Sequence, residues 1–326
     1  MIGARGRSPR HLALHASFNI VKPWRPGSEG AGYGEQKSAG AGTQELASTV
    51  DRSMSEHPTP PLPGAAYERI DQRTLRSTAL TRGPWDLNHQ HGGPPIALVS
   101  GAIERVARDH GLVHLSRLTA NLIRPVPIAM LSVDIETDYV GRNAGHFSAH
   151  LIAEGKEVAR FTALAQRELL IELPHSRPGD RLPSMPISPD QSAHAPFPFA
   201  KTRLGYADFV ETRCATGRMF NGPSAVWFRL RFPLVQNEEP SPYQRAAVAA
   251  DSGNGISAVL DYEHYSFLNS DLTLNFLRRP VGEWICLEAR SYADPTGAGL
   301  AESALFDEMG FIGRSTQSLS IRKRTR

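Results

Sequence analysis

The sequence predicts an α+β fold that is built twice in tandem, with each unit an antiparallel sheet wrapped around a central helix. Three observations support this prediction. One segment of the chain repeats itself at a fixed distance, each copy begins with an apolar helical pattern, and each copy continues with alternating strand patterns. Two copies of one unit predict a pseudo-symmetric pair rather than a long repeat array.

The internal repeat is the strongest of these observations. Residues 118–124 read Leu-Thr-Ala-Asn-Leu-Ile-Arg, and residues 272–278 read Leu-Thr-Leu-Asn-Phe-Leu-Arg, 154 positions later. When this offset is held without gaps, ten of the 45 positions from 118 to 162 are identical. A self-match at a fixed period indicates two copies of one structural unit.

Each copy has one helical pattern with four strand patterns after it, and one strand pattern precedes the helix in the first copy and two precede it in the second. In the first copy, Ile96, Val99, Ile103 and Val106 recur at helical spacing, which predicts a helix over 92–106. The matching helix of the second copy is predicted over 243–251. The predicted strands are 74–81, 115–124, 130–140, 145–154 and 157–168 in the first copy, and 205–217, 223–232, 269–278, 283–293, 299–307 and 311–322 in the second.

The first 64 residues differ in composition from the rest of the chain. They are rich in Gly, Ala, Ser and Pro and carry Arg5, Arg7 and Arg10. This composition predicts a disordered or processed extension over 1–64. An organellar transit peptide and a natural start at Met54 are the alternatives for this region.

A second shift in composition lies between the copies. Residues 173–203 are crowded with prolines, which are expected to exclude regular helices and strands, so we predict a linker there. The first copy is then predicted over 65–172 and the second over 204–324.

Composition and motifs exclude several classes of protein. The net charge of +3 is too small to indicate nucleic-acid binding, and no apolar run is long enough to span a membrane. Two cysteines form neither a disulfide framework nor a metal-ligand cluster, which favours a cytoplasmic protein. His89 and His91 lack the acidic or thiol neighbours of a metal site, so no metal or other cofactor is expected. No serine lies in a Gly-x-Ser-x-Gly elbow.

Three further segments resemble a known family. They are His91-Gly92-Gly93 before the first helix, Asn269-Ser270-Asp271-Leu272-Thr273 running into Arg278-Arg279-Pro280, and Gly313-Arg314-Ser315-Thr316-Gln317 in the last strand. Together they resemble the thioesterase-like double-hotdog group that includes the acyl-CoA thioesterase II family, over about 65–324. The resemblance implies a double hotdog fold and hydrolysis of acyl-CoA to a free carboxylic acid and CoA.

The resemblance also implies three catalytic positions. The acid at the end of the second helix corresponds to Asp251, the amide of the last strand to Gln317, and the hydroxyl residue to Ser270. The hydroxyl is more often Thr in the family, so Asn269 and Thr273 are the neighbouring substitutes. All three positions fall in the second copy.

The repeat supports this assignment independently. Subtracting 154 places Ala97 opposite Asp251 and Ala163 opposite Gln317. An Asp on an apolar helix costs stability unless it is paired, so a side chain needed for folding alone would be expected in both copies. Its presence in only one copy is better explained by chemistry.

The expected chemistry is attack of a bound water on a thioester. Asp251 would act as the base, with Gln317 and Ser270 holding the water. Backbone N–H groups at Gly92 and Gly93 would receive the oxyanion, and His91 would contact the substrate. The acyl chain is expected in an apolar groove between the copies.

Two other functions remain open at this stage. One is a non-catalytic acyl-CoA-binding protein. The other is an enoyl-CoA hydratase of the same fold, which would carry an Asp and His pair on the segment entering the central helix. Asp86 and His91 precede the first helix at a different spacing, and the second helix carries no His near Asp251, which favours hydrolysis. Association of several copies through sheet edges is a further expectation.

Overall fold

The computed structural model describes residues 62–174, 181–198 and 203–324. The elements of the first copy are β1 (Tyr67–Arg69), β2 (Thr74–Ser77), α1 (Gly93–Asp109), β3 (His114–Leu122), β4 (Met130–Val140), β5 (Ala144–Ala153) and β6 (Lys156–Gln166). Those of the second copy are β7 (Ala193–His194), α2 (Tyr206–Phe209), β8 (Val210–Thr216), β9 (Ser224–Leu230), α3 (Pro242–Ala250), α4 (Gly253–Ile256), β10 (Tyr265–Asn269), β11 (Asp271–Phe276), β12 (Ile285–Ala293), β13 (Ala298–Asp307) and β14 (Gly310–Lys323).

The strands of both copies form one continuous sheet. Its order is β1-β2-β4-β5-β6-β3-β11-β14-β13-β12-β9-β8-β7, with β10 pairing the far end of β14. Each of these neighbours is antiparallel. The two halves of the sheet join where β3 pairs with β11.

The junction of β3 and β11 contains the symmetry of the repeat. Thr119 lies directly opposite Thr273, and their hydroxyl oxygens are 3.2 Å apart. These two residues are also separated by the repeat offset, since 273 − 119 = 154. A residue that pairs with its own counterpart marks a pseudo-two-fold axis, so the duplication predicted from sequence is confirmed by the pairing of the strands.

The two central helices pack against each other inside this sheet. α1 begins with two prolines, whose missing N–H groups cost little in a first turn, and Ile96, Val99 and Ile103 are fully buried. α3 begins with a capping box in which Ser241 and Gln244 satisfy each other's backbone N–H groups.

The helices run antiparallel. The start of α1 at Gly93 approaches the Val248 carbonyl near the end of α3, while Gly101 approaches Gln244 near the beginning of α3. Each helix N-terminus therefore points toward the later part of its partner.

Most predicted elements agree with the observed ones to within three residues, with three exceptions. The strand predicted over 205–217 begins instead with the short helix α2, because the Asp208 carboxylate accepts the Gly205 N–H and closes a helical turn. The strand predicted over 74–81 ends at Ser77 and continues as a 3-10 turn, Ala79–Thr81.

The third exception is the strand predicted over 269–278, which is interrupted at Ser270 between β10 and β11.

The predicted linker is also more regular than its prolines suggested. Ala193 and His194 form the edge strand β7 against β8, and Pro189–Gln191 forms a 3-10 turn. The stretch 190–195 contains no proline, so its backbone N–H groups are free to pair at a sheet edge. Residues 175–180 and 199–202 of the linker, and residues 1–61 of the predicted extension, lie outside the described part of the chain. Within that part, no helix has the length and apolar character needed to cross a membrane.

Candidate active site

Asp251 lies where the C-terminus of α3 meets the N-terminus of α1. It is the C-cap of α3 and is only 6% exposed. A Cβ atom on Gly92, the N-cap of α1, would lie 2.8 Å from Asp251 Oδ2 and 3.0 Å from Oδ1. Because real Cβ atoms do not approach that closely, the contact requires glycine at position 92. The carboxylate therefore lies against the positive end of the α1 dipole.

Two amides hold this carboxylate. Asn269 Nδ2 donates to Asp251 Oδ1 over 2.9 Å, and Gln317 Nε2 lies 3.4 Å from the same oxygen and 3.2 Å from the Asp251 carbonyl oxygen. The Gln317 side chain is oriented because its Oε1 accepts the Asn254 N–H over 3.1 Å. A buried polar group costs stability unless it is hydrogen-bonded, and the donors to Asp251 come from two strands of the second copy.

His91 occupies the other side of Asp251. Its Nδ1 lies 3.1 Å from Asp251 Oδ2 and 3.1 Å from the Gly93 N–H nitrogen. A proton on Nδ1 allows the bond to Asp251, and its loss allows Nδ1 to accept from Gly93, so the ring satisfies one partner at a time. Burial lowers the pKa of His91, and the nearby Asp251 carboxylate opposes this more weakly.

Tyr206 on α2 fixes the His91 ring. The two rings are stacked, with centroids 3.7 Å apart and planes inclined by 2°. The Tyr206 hydroxyl donates to the Val248 carbonyl over 2.9 Å and lies 3.0 Å from the Ser252 hydroxyl. Burial raises the pKa of Tyr206 well above its ordinary value, so the hydroxyl stays protonated.

Sequence reasoning missed Tyr206 and Asn254 as members of this site. Asn254 lies in the Asp-Ser-Gly-Asn-Gly segment after α3, which has the composition of an ordinary turn. Tyr206 lies in a stretch whose pattern indicated a strand. No sequence signal connects Tyr206 to His91 or Asn254 to Gln317, because the fold alone brings each pair together.

The structure brings Asp251, Gln317 and Asn269 together but does not bring Ser270 into this group. The Ser270 side chain is exposed, and its backbone bonds to Ser318 and Leu122. Its counterpart at an offset of 154 is Ser116, and that serine also lies at an interruption in strand register. Because a serine stands at a strand irregularity in both copies, the backbone geometry of the strand accounts for Ser270 without a catalytic role.

Thr273 is also separate from the Asp251 group. Its hydroxyl faces Thr119 at the pseudo-two-fold axis. Of the two substitutes named from sequence, Asn269 is therefore the one that contacts Asp251.

The two copies differ at the Gln317 position as the repeat predicted. Ala163 pairs across the sheet with Phe147, and Gln317 pairs in the same register with Ala301. A large aromatic beside a small residue in one copy is thus exchanged for a small residue beside an amide in the other. All four residues are at most 2% exposed, so the exchange takes place inside the core.

The counterpart of Asp251 needs a correction. The uniform offset of 154 holds in the strands but not in the helices, since α1 begins at Gly93 and α3 at Pro242, and 242 − 93 = 149. Counting from the helix starts, the counterpart of Asp251 is Ala102 rather than Ala97. Both are buried alanines, so the first copy still has no carboxylate at the equivalent helix position.

The histidines near the site do not converge. His89 Nδ1 lies 3.0 Å from Asp86 Oδ1, whereas His91 faces Asp251. Within the described ranges, no group of three or more His, Cys, Asp or Glu side chains could hold a metal ion. The sequence analysis found no histidine near Asp251 because it considered only the second helix. The structure corrects this expectation, since His91 of the first copy contacts Asp251.

Solved structures with the same architecture identify the class of fold. A hot dog fold protein from Alicyclobacillus acidocaldarius has a TM-score of 0.60 at 16% identity, covering 81% of this chain and 97% of that chain. A putative thioesterase II from Thermobifida fusca YX has a TM-score of 0.59 at 13% identity, covering 79% and 96%. An acyl-CoA thioesterase II from Mycobacterium marinum has a TM-score of 0.56 at 15% identity, covering 79% and 95%. At these identities the likeness is one of fold, and the fold is the double hotdog.

Family models then give the particular family. The acyl-CoA thioesterase N-terminal domain matches residues 81–166, and the acyl-CoA thioesterase C-terminal domain matches residues 189–321. Together the two matches span more than half of the chain. The chain belongs to the acyl-CoA thioesterase family and is a thioester hydrolase. No curated protein matches it significantly in sequence.

Proposed function

We propose that this protein hydrolyses acyl-CoA thioesters of fatty or related carboxylic acids at Asp251. The observation that carries the proposal is the buried carboxylate held by the amides of Asn269 and Gln317 against the N-terminus of α1. A carboxylate in this setting can accept a proton from water while the amides fix the direction of attack. Both cysteines are free thiols, which supports a cytoplasmic location.

The reaction begins with one water bound to Asp251. Its oxygen attacks the thioester carbonyl carbon as its proton passes to the carboxylate. The developing oxyanion is received by backbone N–H groups at Gly92 and Gly93, where the α1 dipole adds a favourable field. The Gly93 N–H becomes available when His91 Nδ1 is protonated and turns to Asp251 instead. Collapse of the adduct breaks the C–S bond, and the proton passes to the departing CoA thiolate.

A second candidate is water addition to an enoyl-CoA. The approach of His91 Nδ1 to Asp251 Oδ2, at 3.1 Å, favours this alternative because one group of such a pair can take a proton from the water that adds to the β-carbon while the other gives a proton to the α-carbon. The family match favours hydrolysis.

One assay separates these functions. The native protein is incubated with saturated and enoyl acyl-CoAs of several chain lengths, while free thiol and enoyl absorbance are recorded together. Thiol release from the saturated substrates is the result expected for the hydrolase. Loss of enoyl absorbance without thiol would support the hydratase, and tight binding with neither signal would support a non-catalytic binding protein.

Neighbouring substitutions test which residue completes the site. Asn269→Ala removes the closest donor to Asp251 and should lower kcat about tenfold, the equivalent of roughly 1.4 kcal/mol. Ser270→Ala changes an exposed side chain next to it and should leave kcat near the native value. If Ser270→Ala lowered kcat and Asn269→Ala did not, the catalytic role would belong to the Ser270 hydroxyl rather than to the Asn269 amide.

A further inference from the structure

The side chain of Asn254 has a buried oxygen that the fold leaves unpaired. Asn254 lies in the short helix α4 and is only 8% exposed. Its backbone N–H donates to Gln317 Oε1, whereas its side-chain Oδ1 has no hydrogen-bond partner among the described residues. Burying a polar atom without a partner costs stability, so such an atom calls for an explanation beyond folding. A ligand that brings the missing donor would supply one.

The local backbone places this side chain on the same face as Asp251. Asp251 and Ser252 both have helical backbone angles, with ψ of −14° and −5°, and α4 follows at once. These angles are closer to a 3-10 turn than to an α-helix, and side chains three residues apart in such a turn project from the same face. Asn254 is three residues after Asp251, so the amide and the carboxylate share one face.

The amide of Gln317 holds this turn in place. Its Nε2 lies 3.2 Å from the Asp251 carbonyl oxygen, and its Oε1 accepts the Asn254 N–H over 3.1 Å. A Cβ atom on Gly253 would lie 3.0 Å from the same Oε1, so a larger residue there would crowd the amide. One side chain of β14 therefore spans both ends of the turn and fixes Asn254 relative to Asp251.

The hydrogen bonds of the site leave a place for a second acceptor. An attacking water has two protons and is best oriented when both are accepted. The proposed function directs one of them to Asp251. The amides of Asn269 and Gln317 donate to Asp251 through their nitrogens, and Gln317 Oε1 already accepts the Asn254 N–H. Asn254 Oδ1 is a buried acceptor on the correct face.

We propose that Asn254 is a further catalytic residue of this site, and that its Oδ1 accepts the second proton of the attacking water. With one O–H directed to Asp251 and the other to Asn254, a lone pair of the water faces the thioester carbonyl carbon. Only the proton on the Asp251 side is transferred, and it passes on to the CoA thiolate. The O–H held by Asn254 stays intact and becomes the hydroxyl of the carboxylic acid. This inference rests on the proposed function.

Asn254→Leu tests the proposal because it nearly keeps the shape of the side chain and removes its polar atoms. Thiol release from butyryl-CoA and lauroyl-CoA should fall about tenfold or more in kcat, since a water held by one acceptor is less well oriented. Binding of a thioether analogue should stay normal. The urea midpoint should rise, because the variant removes a buried oxygen that has no partner. Asn275→Leu, at an exposed amide on β11, is the matched control and should keep the native kcat.

Asn254→Asp restores an oxygen acceptor at the same place. At about pH 8 it should retain more of the native kcat than Asn254→Leu does. Its acidic limb in the pH dependence of kcat should move to higher pH, because two carboxylates on one face of a turn resist ionising together. His91 also contacts Asp251 but is the same in every variant. A residue that only supported the fold would leave this limb unmoved.

The variants separate failure of this proposal from failure of the proposed function. If Asp251→Asn loses thiol release while Asn254→Leu keeps the native kcat, hydrolysis at Asp251 stands and the role of Asn254 is overturned. Equal rates for Asn254→Leu and Asn254→Asp also overturn that role, since the acceptor would then have no effect. If Asp251→Asn keeps the native rate, the proposed function fails and the role of Asn254 fails with it.

Discussion

The two ends of the central helix pair have the same backbone plan but different side chains. At the end of α3, Asp251 is bonded to the amides of Asn269 and Gln317. At the other end, Glu104 on α1 accepts from the hydroxyls of Ser241 and Ser100. The comparison teaches that the fold directs a carboxylate toward a helix N-terminus twice, and that the hydrogen-bond donors differ, with amides from two strands at one end and serine hydroxyls at the other.

The exchange on the strands shows how the core accommodates this difference. The first copy places Phe147 beside Ala163, and the second places Ala301 beside Gln317. The second copy thereby gives up a buried aromatic ring, worth about 1.5–3 kcal/mol of transfer free energy, for one amide. The first copy keeps the packing and lacks the amide.

The largest effect is expected from a single added methyl group at the helix N-terminus. Gly92→Ala would place a Cβ 2.8 Å from Asp251 Oδ2 and displace the carboxylate. Because misplacement by about 1 Å can cost roughly 100-fold in rate, we expect a loss of that order in kcat. Gly64→Ala is the matched control, since its added Cβ would meet no atom within 4 Å. Equal rates for the two variants would show that the Gly92 contact has no catalytic importance.

An exchange of the two counterpart positions sharpens the comparison. Gln317→Ala removes a donor to Asp251 and should lower kcat about tenfold. Ala163→Gln forces an amide beside the fully buried Phe147, and overpacking of this kind costs about 1–3 kcal/mol of stability. Thiol release and urea unfolding, measured on both variants, should therefore separate into an activity defect in one copy and a stability defect in the other. The reverse pattern would contradict the assignment of chemistry to the second copy.

A smaller effect is expected in the pH dependence of stability. Burial lowers the pKa of His91 below its ordinary value of 6.5, so the unfolded chain binds this proton more readily than the folded chain does. The contribution of His91 therefore reduces stability as the pH falls below 6.5. In His91→Asn the free energy of unfolding should decline less between about pH 7 and pH 5 than in the native protein. Identical declines in urea titrations would mean that His91 is not desolvated as described.

The sequence predicted much of the fold because its signals are local or periodic. The offset of 154 located the strands of the second copy, and the observed β5–β6 hairpin closes at Glu154 and Gly155, both of which have a positive φ. The helices were less regular, because loops of different length change the offset from 154 to 149. That change could not be read from matches found only in the strands.

The candidate site was predictable only in part. Asp251 and Gln317 were assigned through the resemblance to the thioesterase family, and the repeat supported them because alanine stands at the counterpart positions of the first copy. His91 contacts Asp251, and Tyr206 stacks on His91, across long stretches of chain that no spacing rule connects. Glu104 lies two residues beyond Ala102 in α1, so the comparison of equivalent positions did not single it out.

The most direct test of the account is the rate of CoA release by Asp251→Asn in a single turnover, with Asp134→Asn as the control at a partly exposed carboxylate on β4. Binding of a non-hydrolysable thioether analogue of acyl-CoA is measured on both variants. Loss of a general base predicts that Asp251→Asn binds the analogue normally but releases CoA at least about 100-fold more slowly than the control. CoA release by Asp251→Asn at the control rate would contradict the claim that this carboxylate activates the water.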